Sequence, residues 1–142
     1  MNGFNESAIE VAEDPTMSLH PSESAFLAQL AVAKNSWLTA AQRALASEQG
    51  TEPWSETAEA WARLRSRLCT AEDQAAWATV IDELLGGLLH SALVTLDGGS
   101  ALAETTLLSI EDSDGHQFKT HLHEYWPEAL DAAGEPGPDR PA

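Results

Sequence analysis

Along the stretch from Trp77 to Gly99, apolar residues fall at Trp77, Ile81, Leu84, Leu85, Leu88, Leu89, Ala92, Leu93 and Leu96. Steps of three and four predict one broad apolar face on a helix, with Glu83, His90 and Asp97 in line on the other side. At ~1.5 Å of rise per residue such a helix would be roughly 30 Å long or more, enough to cross a small domain. Thr70 is a natural N-cap for it, with Asp73 three residues on. Gly86-Gly87 interrupts the pattern. A helix ending there would leave 88–96 as a strand turning at Asp97-Gly98-Gly99. The apolar phase continues across the glycines, which a strand has no reason to preserve, so one continuous helix is expected. The glycines would then form a shallow notch on its polar side, beside His90.

Two more helices precede it. The first opens at Pro21-Ser22-Glu23, with proline and an acid suited to a first turn. Phe26, Leu30, Ala33, Trp37, Ala41, Ala44 and Leu45 form its stripe, which ends before Gly50. The second starts from Glu52-Pro53-Trp54-Ser55 and runs to about Leu68, with Trp54, Ala58, Trp61, Leu64 and Leu68 on its inner side. Arg65 sits at the edge of that stripe, where it either snorkels or meets an acid from another element. So little chain separates Leu68 from the central helix that the two must fold back sharply on each other.

After Gly99 the texture changes. The run 101–111 is rich in Thr, Leu and Ile, Asp112 to Gly115 signals a turn, and 116–119 can return. This predicts a β-hairpin over about 103–119, stable only if packed on the helices. A last helical piece follows over 121–126, restarted by Pro127. The expected fold is mainly α: a three-helix antiparallel core with a small β-hairpin and a short C-terminal helix. Residues 21–133 form the single helical domain, preceded by a flexible acidic arm (1–20) and followed by a disordered tail (134–142). The predicted core is Phe26, Leu30, Trp37, Trp61, Leu64, Leu68, Ile81, Leu84, Leu85, Leu88, Leu89 and Ala92.

Composition narrows the class. The chain has 142 residues, 43% of them hydrophobic, which suits one folded domain. Its 23 acidic residues against 7 Lys and Arg leave a net charge of −16. Such a surface repels nucleic acid and anionic membranes and attracts cationic partners. No signal-peptide pattern and no apolar stretch of membrane-spanning length stand out, and the lone Cys69 requires no oxidising compartment, so a cytoplasmic protein is expected.

Catalytic signatures are missing: there is no phosphate-binding glycine loop, nucleophile elbow, CxxC or HExxH. His116, His121 and His123 cluster near the C-terminus beside Glu124, and imidazole with carboxylate suits zinc or iron. Their spacing does not specify a site. His121 and His123 share a face only on an extended chain, His121 and Glu124 only on a helix. Asp112, Asp114 and Gly115 resemble the start of a calcium loop, but the glycine comes at the fourth position and later ligands are lacking. Glu83, His90 and Asp97 are too far apart along one helix to touch, so any catalytic pair needs a partner from elsewhere, such as His121 or Glu124.

The candidate binding residues are therefore Glu83, His90, Asp97, His121, His123 and Glu124, with no catalytic residue, metal or cofactor assigned. Small, acidic and without catalytic motifs, the chain resembles bacterial immunity proteins and protein inhibitors in composition only. The leading expectation is a non-enzymatic module presenting an acidic surface to a basic protein partner, without nucleic acid or membrane. A small metal-assisted hydrolase using the histidine cluster and an accessory subunit of a larger assembly are the alternatives.

Overall fold

The computed structural model describes residues 18–118 and 121–134. The expected arm and tail therefore lie outside the described residues, apart from 18–20 and 134. Helix α1 (Pro21–Ala46) is opened by His20: its Nδ1 accepts the Ser22 N–H, and its own N–H donates to the Glu23 carboxylate. Glu23 thereby goes into the interior with its carboxyl group on a helix N-terminus. A 3₁₀ turn over Glu48–Gly50 leads to α2 (Ala58–Arg67), and a short turn leads to α3 (Ala71–Leu96).

Thr70 caps α3 through the Asp73 N–H, and the helix runs through Gly86-Gly87 without a break. It stops at Gly98, where φ is +77°, a backbone that suits glycine. Gly98 and Gly99 donate to the carbonyls of Thr95 and Val94, which is the Schellman closure. A 3₁₀ turn (Ala101–Glu104) and an irregular loop follow. A third 3₁₀ turn (Leu122–Tyr125) then runs directly into α4 (Trp126–Gly134).

The core lies where the first half of α1, the second half of α3 and the C-terminal segment meet. Leu27 and Ala31 of α1, Leu93 of α3, Leu122 and Trp126 are buried together. Phe26, Leu30, Leu89, Leu96, Ile110, Phe118 and Leu130 close around them. The Trp126 indole N–H donates to the Gly86 carbonyl at 3.1 Å, which satisfies its one polar atom inside the core. Burying side chains of this size contributes about 1.5–3 kcal/mol each.

Four expectations need correction. The described residues contain no strand, so the hairpin over 103–119 does not form. Residues 101–104 are a 3₁₀ turn capped by Ser100, and a single bridge, Glu111 with Gln117, surrounds the turn at Asp112–Gly115. The described residues hold no sheet to accept this segment, and an isolated hairpin is marginal; of its side chains Ile110 and Phe118 reach the core, while Leu107 and Leu108 face solvent. The three-helix core is corrected too: α2 buries no residue fully, and α4 with the turn before it takes the third place.

The inner face of α3 is turned from the expected one. Ala78, Gly86 and Leu93 are buried and Leu85 and Leu89 half-buried, while Leu84, Leu88 and Ala92 point outward. Trp37 of α1 is likewise exposed, and Leu27, Ala31 and Lys34 take the inside. Finally, 71–104 is long and apolar enough, by length and composition, to cross a membrane, where no stretch of that length is expected from the sequence. Only 6% of its most apolar 18-residue window is buried.

Candidate functional site

Asp97 sits at the end of α3 as its C-cap, with its side chain 6% exposed. One carboxylate oxygen, Oδ2, accepts the backbone N–H of His123 at 2.9 Å and faces the Nδ1 of the same residue at 2.7 Å. An ionised carboxylate only accepts, so the proton of this pair belongs to Nδ1, and in the neutral ring the lone pair belongs to Nε2. The two hydrogen bonds tie the end of α3 to the 3₁₀ turn. That turn brings in the other groups.

His121 and Glu124 approach each other to 3.9 Å, and ligand atoms of His121, His123 and Glu124 lie within 4.8 Å of one another. The rings of His121 and His123 are 5.9 Å apart, and His90 meets His123 edge to face at 5.8 Å. Five of the six candidate residues therefore meet at one end of the molecule. His90 and Asp97, two turns apart on α3, are bridged by His123 rather than by each other. Glu83 stands apart, exposed two turns before His90.

His116 leaves the group in which its sequence position placed it. Its ring stacks on His20 at 3.6 Å, and its Nε2 lies 3.7 Å from the buried Glu23. The turn beside it is an Asp turn, with Asp112 Oδ1 accepting the N–H groups of Asp114 and His116 at 2.9 Å each. The Ser22 hydroxyl first, and then the His116 amide, hold the Asp112 carboxyl below its usual range.

A second surface escaped the sequence reading. Val80, Leu84 and Leu88 of α3 are 54%, 63% and 67% exposed, an i, i+4, i+8 row in solvent. Trp37 and Trp54 are also exposed, edge to face at 5.5 Å, beside a pocket that Trp61 and three alanines of α1 complete. The signal was present in the composition of α3: apolar residues on nearly every side, with neighbours enough to cover only one.

Two of the described cations, Lys34 and Arg65, are turned inward, whereas Arg63 and Arg67 of α2 are exposed. Lys34, with its side chain 6% exposed, pairs with Asp82, and Arg43 pairs with Glu52. Among the described residues Arg65 meets no acid; it donates to the carbonyl of Ala44 and the hydroxyl of Thr51. No Lys or Arg occurs between Arg67 and Lys119. The whole of α3 and the loop after it thus present carboxylates without a basic side chain of their own.

No family model, curated protein or solved structure matches the chain.

Proposed function

We propose that the chain is a non-enzymatic protein-binding module that offers the outer row of α3 to a basic protein partner, as an immunity protein or inhibitor would. The observation that carries this reading is the row itself: Val80, Leu84 and Leu88 in solvent on a segment without a single Lys or Arg. Contiguous exposed apolar side chains with a polar border mark interaction sites. Glu83 flanks the row, and Glu72 and Asp73 stand at its start. Apolar contacts at the centre would supply affinity, and the carboxylates would steer a cationic partner and hold its register. A net charge of −16 disfavours an anionic bilayer as the occupant.

The test is affinity capture with the wild-type chain and with a Leu84→Glu/Leu88→Glu variant. Both side chains are exposed, so the variant keeps its fold. The expected result is a basic protein that is retained at low salt, released at high salt and not retained by the variant. An acidic partner, retention that ignores both salt and the variant, or binding to anionic vesicles instead would overturn the proposal.

A further inference from the structure

The geometry points to a transition-metal site of the zinc class at the C-terminal end of α3. Its ligands are His121, His123 and Glu124, the His90 ring lies beside that of His123, and Asp97 is the residue that positions His123.

Four observations converge. Ligand atoms of His121, His123 and Glu124 already lie within 4.8 Å of one another, the closeness that sharing one ion requires. Two imidazoles and a carboxylate suit zinc, and they do not suit calcium, which takes six to eight oxygens. Asp97, almost fully buried, holds the Nδ1 of His123 and leaves Nε2 for the metal. A carboxylate behind a ligating imidazole in this way fixes its tautomer and raises its basicity. Finally, the group sits at the negative end of a 26-residue helix in a chain of net charge −16, and both draw a cation.

A latch joining α3 to the next turn accounts for Asp97 and His123. It does not require His121, Glu124 and His90 to gather around the same imidazole. With three protein ligands the fourth position falls to water. The inference stands apart from the protein-binding proposal, because its residues and its readout are different.

The experiment is a calorimetric titration of the full chain with zinc chloride near neutral pH, paired with imidazole nitrogen NMR. The expected result is saturation at one equivalent. His121 and His123 nitrogen signals should move, with Nδ1 of His123 still protonated, while those of His20 and His116 stay in place. Replacing the exposed His121 and Glu124 together (His121→Ala/Glu124→Gln) should weaken binding at least tenfold without changing the circular dichroism. Asp97→Asn should weaken it on the order of 10- to 100-fold. Cys69→Ser, at an exposed thiol, should leave it unchanged. No saturable binding, binding that survives in the double variant, or binding lost with Cys69→Ser would each overturn the assignment.

Discussion

The guanidinium of Arg65 reaches out of α2 and ends α1 from outside, donating to the Ala44 carbonyl at 2.6 Å. The last carbonyls of a helix lack internal partners and carry its negative end, so a cation there both satisfies and neutralises them. Arg65→Met keeps most of the stem and removes the donors; it should destabilise the protein by about 1.5–3 kcal/mol, the range for hydrogen bonds to charged groups. Urea unfolding with an unchanged slope would register that loss. Asp112 gives a pH prediction of definite sign. Its folded pKa is lowered from an ordinary 3.8, chiefly by the Ser22 hydroxyl. The stability it adds is complete above that ordinary value and is lost as pH falls through the lowered one. Protection of the His116 amide, taken relative to the intrinsic exchange rate at each pH, should therefore persist down to the ordinary carboxylate range and fall only below it, and Asp112→Ala should lower it at every pH. Gly87 is simpler: a Cβ there meets nothing within 4 Å. Gly87→Ala should stabilise by up to about 1 kcal/mol through helix propensity and a less flexible unfolded chain, raising the thermal midpoint.

At the scale of the element, α3 is where the sequence was read most and least successfully. Its existence, its cap at Thr70, its passage through the glycines and its stop at Gly98 all follow from local chemistry, and local chemistry is legible in a string. Its rotation was not. A helix apolar on most sides has no inner face of its own, and the choice belongs to its neighbours: Trp126 bonding to the Gly86 carbonyl, and Lys34 lying 3.6 Å from where a Gly86 side chain would begin. Both are far away in sequence. The hairpin failed for a related reason, since alternation can propose a strand but only a sheet can keep one. The site followed the same division. Asp97, His121, His123 and Glu124 were visible as residue types, while the bond joining Asp97 to His123 spans 26 residues and no spacing announces it. The pair Lys34–Asp82 tests the packing of α1 on α3 directly. Lys34 is buried and Asp82 is 46% exposed, so the two are not equivalent. Asp82→Ala strands a buried ammonium and should cost about 3 kcal/mol, whereas Lys34→Met removes the charge at similar volume and should be close to neutral. Equal losses in denaturant unfolding would contradict the asymmetry.

For the whole molecule the governing fact is where the charge goes. Of the five described cations, Lys34 and Arg65 are spent on the interior and on a helix end and Arg43 on Glu52, which leaves the exposed Arg63 and Arg67, both on α2. What remains outward along α3 and its loop is acidic: Glu72, Asp73, Glu83, Glu104, Glu111 and Asp114 are all exposed. A field of one sign acts at long range and is screened over about 8–10 Å at physiological ionic strength, whereas apolar contact at Val80, Leu84 and Leu88 acts only on touching. The two should therefore separate in kinetics once a partner is in hand. Reversing the exposed acids Glu72 and Glu83 to lysine should slow association and flatten its dependence on salt, with dissociation nearly unchanged. Leu84→Glu/Leu88→Glu should instead speed dissociation, because affinity differences within one interface lie mostly in the off-rate. Surface plasmon resonance across a salt series resolves both constants. If the lysine variant altered only dissociation, or the glutamate variant only association, then the apolar row and the acidic border would not divide the work of binding as their placement on α3 implies.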